Sequence, residues 1–335
     1  MARTLASGSR GTDGSPTRRY TAAVIDWTPQ PIAFSVGPLA VHWYGIMYAI
    51  GLALTYVVVE RQARRRGLDV GLMVNGFIVI AFAALIGGRL YHVIDQWDAR
   101  YKDDLLAIVL PPYSGLGVYG GIATGFIVGV LYARWKRQPI LGWADAAAPG
   151  LLVMQGVARW GNFFNQELYG PPTNLPWGIA IQCANRTEAW ACPPVGTTPV
   201  DAHFVPLFLY ESISGLVGAV VLILLARRVR SLRPGDLVLL FFAWYGMTRF
   251  LLEPLRTNNW LLGGVPTASI ISAVAVVGAL LALAWRHRPG AGEAGRPGDP
   301  MVDDPPSLPA PAVPPAPAVP PAPAVPPAAP LDGPA

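Results

Sequence analysis

The chain has 335 residues, and only 13% of them are Asp, Glu, Lys or Arg, about half of the roughly 25% usual in soluble globular chains. That deficit excludes an ordinary water-soluble enzyme, while hydrophobic types at 53% exclude a chain that is disordered throughout. The net charge of +5 follows from the membrane topology read below and gives no ground for a nucleic-acid partner.

Residues 1–37 form a polar N-terminal segment with Arg3, Arg10, Arg18 and Arg19, and it lacks the apolar stretch of a signal peptide. From residue 38 to 288 the chain breaks into apolar runs of the length, about 20 residues, that crosses a hydrocarbon layer as a helix. The runs predict helices over 39–60, 72–94, 116–133, 142–163, 205–226, 236–253 and 264–285, an all-α polytopic membrane protein of about seven spans. Basic clusters follow alternate spans: Arg61, Arg64, Arg65 and Arg66; Arg134, Lys136 and Arg137; Arg227, Arg228, Arg230 and Arg233; Arg286 and Arg288. The positive-inside rule makes these ends cytoplasmic and puts the N-terminus and the 95–115 and 164–204 loops outside. The arginines of the N-terminal segment argue the other way, and four clusters outweigh one.

The 164–204 loop is the longest between spans and predicts a small extracytoplasmic cap. It holds both cysteines, Cys183 and Cys192, which either form a disulfide on the oxidising side or serve as small apolar fillers. The stretch WGIAIQC at 177–183 alternates weakly, as a strand would. Residues 289–335 hold 17 of the 35 prolines, with PPAPAV repeated in tandem. They read as a disordered, polyproline-like cytoplasmic tail.

Ionisable residues inside spans are costly and mark a function or a buried pair. Arg89, in GGRLYH, is either a site residue or a side chain reaching for the headgroups. Arg159 opens RWGNFFNQELYG at 159–170, with Asn162 one turn later on the same face and Asn165, Glu167 and Gly170 following. YGMTRFLLEPLR begins at Tyr245 and sets Arg249, Glu253 and Arg256 on one stripe, provided that the helix continues past Pro254. Two arginines against one carboxylate leave a positive surplus, which suits a phosphate in two-point contact. HWYGIMYAIG and YSGLGVYGGIATG add Tyr44, Tyr119 and Gly120; helix packing is the plainer role for the glycines, while the two phenols either anchor at the interface or hydrogen-bond a phosphate or exchange a proton. The four histidines show no ligand spacing and the cysteines no CxxC form, so no metal site is expected. Phosphate loops, dinucleotide fingerprints and nucleophile elbows are lacking, so no cofactor is expected either.

RWGNFFNQELYG resembles the signature of the bacterial prolipoprotein diacylglyceryl transferases, matching through Arg159, Gly161, Asn162, Asn165, Glu167 and Gly170. HWYGIMYAIG, GGRLYHV, YSGLGVYGG, PLFLYES and YGMTRFLLEPLR stand in the family's order, and together they cover about residues 38–288. The resemblance implies an enzyme of the bacterial plasma membrane. It would transfer the diacylglyceryl group of phosphatidylglycerol to the lipobox cysteine of a preprolipoprotein, as a thioether, and release glycerol phosphate. It makes Arg159 a headgroup ligand, Arg249 a catalytic or phosphate-stabilising residue, Tyr44, Asn162 and Glu167 site residues, and Glu253 and Arg256 a supporting pair. Arg89, Gly120, Asn165, Gly170 and Tyr245 fall to the phospholipid. Many members have His where this chain has Tyr119, ahead of Gly120 and Gly121, which leaves Tyr119 and Glu167 as candidates to take the thiol proton. Here Val205 and Ala158 also stand where members have His and Gly. The competing expectation is a transporter or flippase for an anionic solute or lipid.

Overall fold

The computed structural model describes residues 27–289, apart from 38, 109–114, 116, 195, 197 and 258. Most of the polar N-terminal segment, the proline-rich tail after 289 and part of the glycine-rich stretch before Tyr119 lie outside the described residues.

Long apolar sequences form seven α-helices among the described residues: α1 Trp43–Arg65, α2 Met73–Asp95, α3 Val118–Trp135, α4 Ile140–Phe164, α5 Leu207–Arg228, α6 Asp236–Leu252 and α7 Thr267–Arg286. Six are long and apolar enough to cross a membrane; α3, long enough at 18 residues, is not among them. A helix of that length spans about 27 Å. Among the described residues three antiparallel two-stranded pairs complete the architecture: β1 Ile32–Val36 with β2 Leu39–His42, β3 Ile179–Ala180 with β4 His203–Phe204, and β5 Leu261–Leu262 with β6 Val265–Pro266. The first span therefore begins at Trp43 and not at 39, because residues 39–42 pair with β1. The last begins at Thr267, behind β6. The strand expected over 177–183 is reduced to two residues, since Cys183 already opens a 3₁₀ turn.

Helix α4 is the hub, packing on α1, α5 and α6, while α2 pairs with α3 and α6 with α7. Its contact with α5 is made by facing glycines. A Cβ on Gly215 would stand 2.9 Å from the Leu152 carbonyl oxygen and one on Gly156 3.0 Å from that of Ser212, so any side chain there would force the helices apart.

Two faces terminate the bundle. On the basic face, buried Asp145 of α4 accepts hydrogen bonds from the backbone N–H groups of Gly235 (2.8 Å) and Val238 (3.0 Å), capping α6 from another helix. Arg66 stands 3.6 Å from the same carboxylate. Asp236, the first residue of α6, accepts from Arg286 Nε (2.9 Å) and the Arg233 N–H (2.6 Å) and meets His287 Nε2 at 2.7 Å. Arg66, Arg233 and Arg286, expected only as topology signals, thus also hold helix ends together.

On the opposite face sits the cap. Its core gathers Tyr169, Ile179, Ile181, Ala202 and Phe204 onto Phe163 of α4 and Phe208 of α5. Cys183 and Cys192 are joined by a disulfide, which decides between the two readings of that pair. Arg186, between them, donates to the carbonyls of Ile181, Pro199 and Val200. The described end of the N-terminal segment joins the cap: buried Gln166 donates to the Pro29 carbonyl and accepts from the Gln182 N–H, and Trp27 packs on Phe163 and Phe164.

Candidate active site

At the cap-side ends of α4, α5 and α6 three arginines converge on two carboxylates. Glu211, in the second turn of α5, and Glu253, just past the end of α6, are 2% and 1% exposed. Arg159 Nε stands 2.7 Å from Glu211 Oε2, while Arg249 Nη1 lies 3.9 Å from Glu211 Oε1 and its Nη2 lies 2.9 Å from Glu253 Oε2. Arg256 donates through Nη2 to Glu211 and has its Nε 3.8 Å from Glu253 Oε2. The stripe expected past Pro254 is not a helix: α6 stops at Leu252 and a 3₁₀ turn covers Glu253–Leu255. Proline has no N–H to continue the ladder. Arg256 follows in extended conformation and still reaches both carboxylates.

Counting charges, three guanidiniums face two carboxylates and one positive charge is left over. Arg159 Nε, Arg256 Nε and Glu253 Oε2 meet their oppositely charged partners as ion pairs without hydrogen-bond angles. A positive surplus beside buried carboxylates at the end of a membrane-spanning bundle suits an anionic ligand.

A polar chain leads outward from Arg159. Its Nη1 donates to Asn162 Oδ1 (3.4 Å), and Asn162 Nδ2 donates to Glu167 Oε1 (2.7 Å), the acceptor that Asn165 Nδ2 approaches at 3.5 Å. Asn162 is buried and Glu167 exposed, so the chain runs from the arginine cluster to the surface. Tyr44, at the start of α1, lies against Gly161, stacks on Tyr48 with ring centroids 4.9 Å apart, and has its hydroxyl 3.3 Å from that of Tyr48. The structure therefore brings together Tyr44, Arg159, Asn162, Asn165, Glu167, Arg249, Glu253 and Arg256.

Other expected site residues sit elsewhere in the packing. Arg89 donates to the backbone carbonyls of Ala107, Ile108 and Gly115, an engagement with the α2–α3 loop. Tyr119 is 68% exposed on α3 and tilts against Tyr91. A Cβ on Gly120 would fall 2.2 Å from the Gly87 carbonyl oxygen, which makes this glycine a requirement of the α2–α3 contact. Gly170 donates to the Val205 carbonyl where the cap rejoins α5. Tyr245 stacks on Phe241 one turn before Arg249 on α6.

Glu211 was not among the residues expected in the site, although it touches all three arginines. The available signal was a carboxylate in the otherwise apolar opening of a span, LFLYESIS.

The family described as prolipoprotein diacylglyceryl transferase matches residues 31–285. Among curated relatives, a phosphatidylglycerol–prolipoprotein diacylglyceryl transferase of Streptococcus equi subsp. zooepidemicus (strain MGCS10565) is 34% identical over 262 residues, covering 77% of this chain and 95% of its own. Proteins of the same description from Trichormus variabilis (32% identical, 80% of this chain and 94% of theirs) and Gloeobacter violaceus (31%, 78% and 94%) are also similar.

Proposed function

The chain belongs to the prolipoprotein diacylglyceryl transferase family and is a membrane-embedded transferase, and from that premise we propose that the cluster around Glu211 is its active site. The substrates are phosphatidylglycerol and the lipobox cysteine of a preprolipoprotein. The observation that carries the assignment is the positive surplus of Arg159, Arg249 and Arg256 over the buried Glu211 and Glu253. A phosphodiester brings the missing anion.

The cysteine sulfur attacks the glycerol carbon that carries the phosphate ester. A C–S bond forms, the C–O bond breaks, and its electron pair leaves on the phosphate oxygen as glycerol phosphate. Arg159 and Arg249 bind the phosphodiester and stabilise charge on the departing phosphate, an effect that is larger in a partly desolvated site than in water. Glu211 and Glu253 hold the guanidiniums in place before substrate arrives. The same positive field favours the thiolate. Glu167, at the outer end of the Arg159–Asn162 chain, accepts the thiol proton; its connection to the cluster favours it over exposed Tyr119.

Basic helix ends on the face opposite the cap support an orientation with the cap and N-terminus outside the bacterial plasma membrane and the proline-rich tail in the cytoplasm. The relatives are named as transferases, which disfavours the transporter or flippase reading.

The test is purified protein in detergent with phosphatidylglycerol and a lipobox peptide. Gain of one diacylglyceryl mass on the peptide thiol, with release of glycerol phosphate, is expected. No mass gain from a folded protein would overturn the reading.

A further inference from the structure

Between α6 and α7 the chain makes the β5–β6 hairpin, and its composition is unlike that of a solvent loop. Trp260, Leu261 and Leu262 are 75%, 63% and 65% exposed, and Val265 is also exposed. Leu261 and Leu262 are successive strand residues and point to opposite sides, so both sides of the hairpin are apolar. From residue 257 to 285 the sequence has no Asp, Glu, Lys or Arg. The turn is Gly263–Gly264, with φ of +60° and +81°, the left-handed pair that a two-residue hairpin turn needs.

We propose that this hairpin is an interfacial blade seated in the lipid leaflet on the cap side, at headgroup and glycerol depth. Its occupant is the bilayer itself. Continuity is the first argument: α6 and α7, which flank it, are both long and apolar enough to cross a membrane. Backbone chemistry fixes the depth. Among the described residues the strands pair only with each other, through Leu261 with Pro266 and Leu262 with Val265. Their outward N–H and C=O groups need water or headgroups, which bars the hydrocarbon centre. Exposed Trp and Leu on both sides disfavour bulk water, and Trp260 has the amphipathic ring that collects at this level.

The blade is bolted to the arginine cluster. Asn259 Nδ2 donates to the carbonyls of Glu253 and Arg256, each at 3.2 Å, and the Thr267 N–H closes the hairpin base on the Trp260 carbonyl at 2.7 Å. A hairpin held at glycerol depth therefore registers Arg256 and Arg249 at the level of the lipid phosphates. That consequence rests on the function proposed above; the lipid contact does not.

Both cysteines of the chain are in the cap disulfide, so Leu262→Cys supplies a single free thiol for a nitroxide. In nanodiscs containing phosphatidylglycerol, the ratio of oxygen to nickel-chelate accessibility at this label is expected to be severalfold above that of a Val200→Cys label in the cap. It is also expected to lie below that of a Val274→Cys label midway along α7. A ratio equal to the Val200 value would overturn the proposal. So would immobilisation only after addition of a lipobox peptide, which would assign the hairpin to the peptide, and spin–spin broadening in discs with two copies, which would assign it to self-association. None of these readouts requires turnover, so the lipid contact can fail or stand independently of the enzymatic reading.

Discussion

Glu211 of α5 and Arg159 of α4 meet at 2.7 Å across a helix contact that glycines have closed. The carboxylate also receives Arg256 and approaches Arg249, so one buried acceptor spaces three cations. Replacing it by Gln keeps the shape and removes the charge. Glu211→Gln is expected to abolish detectable transfer. Losing one partner of a buried ion pair should also lower stability by about 3 kcal/mol, read as a drop in the detergent-solubilised melting temperature. Wild-type turnover in this variant would remove Glu211 from the site.

Arg159 touches a carboxylate and an amide oxygen at once, Glu211 and Asn162. Lysine carries the charge without the planar fork. Arg159→Lys and Arg249→Lys are therefore each expected to lose roughly a hundredfold or more in kcat, the scale seen when one donor to a developing oxyanion is removed. Steady-state assays with the peptide acceptor measure it, and retention of full rate by either lysine variant would show that a point charge suffices.

Proton transfer separates two candidates by their placement. Tyr119 is largely exposed on α3, whereas Glu167 is hydrogen-bonded to Asn162. Tyr119→Phe is expected to keep near wild-type turnover and Glu167→Gln to lose it. Activity lost in Tyr119→Phe and kept in Glu167→Gln would reverse the assignment.

Much of this arrangement is legible in the sequence, and the residues show why. Arg159, Asn162 and Glu167 lie within nine positions, so one helix end and its following turn bring them together. The spans are legible because water and lipid sort side chains strongly over twenty residues. What escapes is pairing between distant segments. Glu211 looks like a lone carboxylate until α5 is packed on α4, fifty-two positions from Arg159. Arg89 looks like Arg159 in sequence, an arginine near the end of a span, and only the folded loop shows its bonds going to backbone carbonyls. Asp145 and Asp236 likewise gain meaning only from the N–H groups and cations brought to them.

The cap offers a test independent of catalysis. The Cys183–Cys192 disulfide closes a nine-residue separation, for which chain entropy predicts about 2.6 kcal/mol of stabilisation. Reduction, or Cys183→Ser with Cys192→Ser, is expected to lower the melting temperature and to open the chain at Arg186 to trypsin, since the three carbonyls that now hold that side chain lie on segments the bridge draws together. Unchanged proteolysis under reduction would show that the carbonyl clamp alone keeps the cap closed.

The Asp236–Arg286 contact also dictates an order of assembly. When α6 enters the membrane its first residue, a carboxylate with no exposed surface in the finished protein, has its own Arg233 N–H but neither Arg286 nor His287. Those two emerge from the ribosome fifty residues later. Until then Asp236 must stay wet, and α6 cannot settle to its final depth. Chains ending before Arg286 should keep that end hydrated and be degraded, while release after residue 289 should yield a finished bundle.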